Sequence, residues 1–126
     1  MGDILSSAIT DMLQPAKIGQ LGFRHAGCWE CDLADDSLIW SGGVYDIFGL
    51  ARGASVKREE VVSFYREDSR AKMESLRAYS IRHKRGFTVD VELKSAVGEN
   101  RWMRLIAAPI CDKNEVTRLH GLKLII

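Results

Sequence analysis

Between Gly86 and Asp112 the chain reads GFTVDVELKSAVGENRWMRLIAAPICD, and its opening obeys a strict rule. Phe87, Val89, Val91 and Leu93 are apolar, while Thr88, Asp90, Glu92 and Lys94 are polar. Successive strand side chains point to opposite faces, so this alternation describes a strand with one buried and one wet face. A turn-prone cluster, Val97-Gly98-Glu99-Asn100, interrupts it, and a second apolar run extends from Trp102 to Cys111. Two such runs around a Gly/Asn turn predict an antiparallel hairpin. We expect Trp102 and Ile106 on its inner face, Trp102 substantially buried, and Met103 and Leu105 on the outer face. A third strand, 117–126, follows the turn Asp112-Lys113-Asn114-Glu115. The resulting meander has an apolar face that needs a cover, and only the upstream chain can supply it.

Upstream, the residues 26–33 and 37–40 predict two short strands around the turn Ala34-Asp35-Asp36. Cys28 and Cys31 are spaced as C-x-x-C, but i and i+3 on a strand face opposite ways and cannot pair. No second such pair or His spacing completes a zinc site, so both cysteines are read as structural. Ser41 to Gly49 predicts a short helix with a serine N-cap and a glycine C-terminus. Gly42-Gly43 is not a phosphate loop, since neither G-x-x-x-x-G-K-[ST] nor G-x-G-x-x-G is present. Helices are expected over 58–65 and about 68–83, the latter with a Met73, Leu76, Tyr79 stripe and stopped by Gly86. Its acidic start and basic end suit the helix dipole. The expected fold is α+β: a five-stranded antiparallel sheet with short helices on one face.

The N-terminal residues 3–14 place Ile4, Leu5, Ala8, Ile9, Met12 and Leu13 on one stripe of an amphipathic helix, with Asp3 as N-cap and Pro15 beyond its end. We expect residues 1–23 to form this helix and a connector, and 24–126 to form the folded domain. The stripe needs an apolar surface, and the outer sheet face with Met103 and Leu105, or the same helix of a second copy, provides one. These eight residues are the candidate homodimer interface.

A chain of 126 residues is the size of one domain with one core. Its 18 basic and 17 acidic residues leave a net charge of +1, which favours neither nucleic acid nor an anionic membrane. No apolar run approaches the ~20 residues of a membrane span. An odd cysteine count in a chain with an adequate core speaks for a reducing, cytoplasmic setting.

An ordered set of landmarks carries a further expectation. They are Gly27-Cys28-Trp29-Glu30-Cys31-Asp32-Leu33, Ile39-Trp40-Ser41, Ile47-Phe48-Gly49, Glu67-Asp68, Gly86-Phe87, Gly98-Glu99-Asn100-Arg101-Trp102 and Gly121. Together they resemble the PAS sensor domains, in the variant with tryptophans in the first and penultimate strands, over about residues 24–124. Tyr65-Arg66 stands where the family usually has His-Pro, and Ile125 where its closing segment usually has Asp. The resemblance implies a sensor or interaction module, usually dimeric, in a larger bacterial signalling protein. The effectors it implies are histidine kinases, diguanylate cyclases and transcription regulators. A curved sheet covered by short helices leaves concave apolar space between them. Its candidate lining is Trp29, Trp40, Tyr45, Phe48, Phe64 and Met73 from the first two strands and the helices. Leu76, Phe87, Val89, Val91, Ile106 and Leu122 complete it from the long helix and the later strands. The same residues also suit a filled core.

Residues 41–85 contain no cysteine, which speaks against the flavin photoadduct of the light-sensing branch. Haem would need an axial histidine; His83 sits among Arg82, Lys84 and Arg85, and His25 and His120 are isolated. A small organic ligand, or none, is the expected cofactor state, with no metal. The alternative reading is a small isomerase or hydratase using a strand carboxylate as base in an apolar pocket. Asp32, Asp90 and Glu92 are its candidates.

Overall fold

Residues 25–126 are described by a computed structural model. The expected helix at 3–14 and the connector lie outside these residues. The described elements are β1 (Ala26–Asp32), β2 (Ser37–Trp40), α1 (Gly42–Phe48), α2 (Arg58–Ser63), α3 (Glu67–His83), β3 (Phe87–Lys94), β4 (Asn100–Asp112) and β5 (Glu115–Ile125). The strands form one antiparallel sheet in the order β2-β1-β5-β4-β3. The chain thus reaches one edge of the sheet at β2, leaves it for three helices, and returns at the other edge with β3. The meander then closes with β5 against β1. Among the described residues no helix is long and apolar enough to cross a membrane.

The alternation of β3 behaves as expected, with Phe87, Val89, Val91 and Leu93 all buried. Register then decides β4. Phe87 pairs with Ala107, Val89 with Leu105 and Val91 with Met103, so odd-numbered residues of both strands share the inner face. Met103 and Leu105 are therefore core residues, at 0% and 4% exposure, and not an outer interface. Trp102 is 50% exposed and faces Glu92 across the ladder. Its expected burial is wrong. Ile106 also faces outward, as does its partner Leu122, which removes both from the candidate pocket. The cause is the composition of β4. Nearly every residue from Trp102 to Ile110 is apolar, so the parity of the strand is fixed by the length of the turn and not by its own pattern.

Turn and cap chemistry sets the remaining boundaries. Lys113 and Asn114 both take positive φ, 49° and 68°, the pair of values a tight hairpin turn requires. Gly49 ends α1 at φ 70°, and its N–H reaches the carbonyls of Asp46 and Tyr45. Ser41 occupies the N-cap position without capping through its side chain. Its Oγ instead accepts the N–H of Cys28 at 2.9 Å, tying the helix start to β1. Gly43 brings α1 closer still, because a Cβ there would stand 1.9 Å from the Ala26 carbonyl oxygen. Gly43 is thus a contact between backbones, while Gly42 lies against the Arg52 guanidinium.

Helix α2 stops at Ser63, short of the expected Tyr65, because the chain there turns extended. Tyr65 forms an isolated bridge with Leu93, flanked by hydrogen bonds from Arg66 N to Glu92 O and from Lys94 N to Phe64 O, both 2.9 Å. Helix α3 ends at His83, with Lys84 at φ 57° taking the left-handed role expected of Gly86. Its buried residues are Ser69, Met73 and Ser80. Tyr79 is exposed, since at ~100° per residue it lies ~120° around the helix from Met73.

Candidate functional site

The odd-numbered inner face of β5 carries Leu119, Gly121 and Lys123, opposite Pro109, Ala107 and Leu105 of β4. A lysine on this face sits in the core. Lys123 is 6% exposed, and its Nζ stands among four aromatic rings. The centroids of Phe48, Trp40, Trp29 and Tyr65 lie 4.8, 5.6, 5.7 and 5.8 Å away. Nζ donates one hydrogen bond, to the Tyr65 hydroxyl at 3.2 Å. Each ring is positioned by a different element. Trp29 and Trp40 face one another across β1 and β2, and the Trp29 indole N–H donates to the Leu122 carbonyl at 3.4 Å. Phe48 ends α1, stacked on Trp40 with centroids 5.1 Å apart. Tyr65 is held by its backbone bridge to β3.

Burial makes the ammonium form costly. The Lys123 amine is pushed down to about 7, mainly by desolvation and then by the positive charge of Arg58, with Cys31 acting in the opposite direction. Burial raises Tyr65 well above the ordinary phenol value, so its hydroxyl keeps its proton and remains a donor. Burial likewise raises the Cys31 thiol. Cys28 and Cys31 pair with Leu122 and Leu119 respectively, on opposite faces, as expected of a C-x-x-C on a strand.

Beside Lys123 lies a cavity of about 50 Å³, room for a few water molecules, since one needs ~10–15 Å³. Trp29, Trp40, Tyr65 and Phe87 line it together with Leu38, Val61, Val62, Met73, Leu105 and Leu119. Its polar wall is Lys123, Arg58, Arg77 and the Cys31 thiol. Arg58 is paired with Glu74 and Arg77 with Asp36. No aspartate, glutamate or histidine lines the cavity among the described residues.

Of the expected lining, Trp29, Trp40, Met73 and Phe87 are there. Phe48 backs the cavity as one wall of the lysine cage. Tyr45 packs edge-on against Trp40, 5.1 Å between centroids, and its hydroxyl donates to the Ala54 carbonyl at 3.1 Å. Phe64, Leu76, Val89 and Val91 belong to the surrounding core. The expected lining left out Lys123, Leu105 and Leu119, which the alternation hides. It also left out Cys31 and Leu38 of the first two strands, and Arg58, Val61, Val62, Tyr65 and Arg77 of the helical segment. One signal was available in Leu122-Lys123-Leu124, where a strand must bury either the lysine or both leucines. Here all three are buried.

The carboxylates of the enzymatic alternative lie elsewhere. Asp90 sits on the outer face in a two-pronged contact with Arg104, at 2.8 and 3.1 Å. Glu92 pairs with Arg66, and Asp32 accepts the Ala34 N–H in a turn. His83 stacks near Tyr79 on α3, and neither it, His25 nor His120 reaches the cavity wall.

No protein-family model matches this chain, and no curated protein matches it. Solved structures do. An RNA-binding light-oxygen-voltage receptor superposes with a TM-score of 0.70 at 16% identity, covering 80% of this chain and 29% of that longer one. The N-terminal domain of a diguanylate cyclase with PAS/PAC sensor from Marinobacter aquaeolei gives 0.70 at 14% identity, covering 78% and 92%. A sensory box histidine kinase/response regulator from Burkholderia thailandensis gives 0.70 at 16% identity, covering 90% and 85%. At such identities the likeness is one of fold.

Proposed function

From the PAS-domain fold that this chain carries, we propose that it is a sensory signal-transduction module whose input is the cavity beside Lys123. The cavity carries this reading. A buried amine facing a largely apolar cavity is costly to maintain for stability alone, and it is what a small-molecule site needs: an apolar body and a few placed polar groups. Asp32, Asp90 and Glu92 all lie away from the cavity wall, which supports binding in preference to catalysis by a strand carboxylate. The output is an effector in the same or another signalling protein, of the histidine kinase or diguanylate cyclase kind found in the similar structures, working in a bacterial-type cytoplasm.

The module acts as a homodimer in this proposal, with the stripe Ile4, Leu5, Ala8, Ile9, Met12 and Leu13 as the contact. On the outer face of β4 and β5, Ala108, Leu122 and Leu124 are already buried within one chain, and Trp102 stands open to a second copy.

Native mass spectrometry of the freshly purified chain, with its absorption spectrum, tests the sensor reading. An adduct that disappears on denaturation supports it. A bare chain whose unfolding is also indifferent to a small-molecule library leaves a partner-binding domain in its place.

A further inference from the structure

We infer that the cavity takes a small organic monocarboxylate, its anionic group seated between Lys123 Nζ and the Tyr65 hydroxyl and its apolar body against α2 and β4. The inference rests on the cavity being a ligand site at all, as proposed above, and adds the chemistry of the ligand.

Charge is the first argument. Three cationic residues line the cavity and no anionic one among the described residues does. Two of the three are already matched, Arg58 by Glu74 and Arg77 by Asp36. Lys123 has only rings and a hydroxyl around it. The groups packed about it from each side are Cys31 on β1, Arg58 on α2, Tyr65 after α2, and Arg77 with its partner Asp36. Cys31 favours the ammonium but burial holds its thiol protonated, and Asp36 is taken by Arg77, so no full counter-charge reaches the amine from this lining. One unmatched cation calls for one negative charge, which suits a carboxylate better than a phosphate dianion.

Hydrogen bonding is the second. An ammonium has three donors, and Lys123 gives one to Tyr65. The Tyr65 hydroxyl accepts that bond and keeps its own proton to donate. The site therefore offers N–H and O–H donors side by side without an acceptor, complementary to the two oxygens of a carboxylate. The four ring faces favour the cation but accept none of its remaining protons. Beyond this polar end, Val61, Val62, Leu105 and Leu119 leave contact only for carbon.

The straight-chain acids from formate to butyrate, sized to a cavity of about 50 Å³, test this on the full chain. The matching amides and alcohols serve as neutral controls. At pH 7, calorimetry should find an acid that binds at least tenfold more tightly than its neutral counterpart. Its affinity should fall as pH rises from about 7 to 9, because the bound anion holds the proton on Lys123 that the free site releases. Lys123→Met keeps the apolar volume and should lose that preference, with its own unfolding midpoint at or above the parent's. Tyr65→Phe, retaining the ring, should lose several-fold. The carbon-13 shift of the Lys123 side chain should titrate at higher pH when the acid is present. Neutral counterparts that bind as well as the acids, in parent and Lys123→Met alike, would overturn the carboxylate assignment and leave the sensor reading standing. If neither acids nor neutral controls bind, the carboxylate assignment falls, and the sensor reading is then judged by the wider library.

Discussion

Lys123 sets the energetics of the core as well as the chemistry of the cavity. In the unfolded chain its amine has the ordinary lysine value of about 10.4; in the folded chain it holds its proton only below about 7. Between these limits the unfolded state binds more protons, so raising the pH favours the folded state. Cys31 works the other way: its raised thiol draws stability down as pH passes the ordinary cysteine value of about 8.5. The clean window is therefore about pH 7 to 8.5. There, urea midpoints of the ligand-free chain should rise with pH, by at most ~1.4 kcal/mol per pH unit from this one group. Lys123→Met should flatten the rise. A parent whose stability is level across that window would show that the amine titrates as it does in water. Sequence patterning passed over this residue, despite its leucine neighbours, because lysines are almost never buried and a lysine on a strand reads as a surface position until the register is known.

The strands show how far alternation reaches. In β3 the polar residues mark the outer face at every second position, and the face assignment was legible at once. Between Asn100 and Cys111 in β4 the only charged markers are Arg101 and Arg104, and they disagree. Arg104 points out to Asp90, while Arg101 points in, donating to the carbonyls of Asp46 and Ile47 at 2.8 and 2.7 Å and so closing the C-terminal end of α1. With markers in conflict, the loop between Lys94 and Asn100 decides. The observed register has an energetic signature. Met103→Ala, at a fully buried site, should cost ~2–5 kcal/mol. Trp102→Ala, half exposed, should cost about 1 kcal/mol or less, as surface sites do. Urea denaturation of the two variants checks the order, and a larger loss at Trp102 would mean that the strand is turned over. A second test belongs to α1. Gly43→Ala has no room for its methyl group against Ala26, and the clash should outweigh the ~1 kcal/mol gained from helix propensity and lower the midpoint.

At the scale of the molecule, the element order and the closed meander were legible, because they depend on where strands and helices fall and not on which way side chains point. The cavity was half legible. Its aromatic walls announce themselves by composition, and its polar end depends on three registers acting together: β1 with β5, β5 with β4, and Tyr65 with Leu93. Assembly is a matter for the whole chain too. If the stripe at 3–14 pairs two copies, Ile9→Glu with Met12→Glu in the full chain should convert a dimer to a monomer in sedimentation, while circular dichroism stays unchanged. Equal sedimentation of parent and variant would assign the stripe to its own domain.

The account turns on the cavity being an input, and one measurement addresses that most directly: thermal unfolding of the full chain and of Val61→Phe against the same small-molecule library. Phe at position 61 fills the space beside Lys123 while leaving the amine, the tyrosine and the sheet in place. A ligand that binds only the folded state raises the midpoint with concentration. The account predicts at least one compound that raises the parent's midpoint by several degrees, saturably, and leaves Val61→Phe unmoved. A library in which no compound distinguishes the two chains would contradict it.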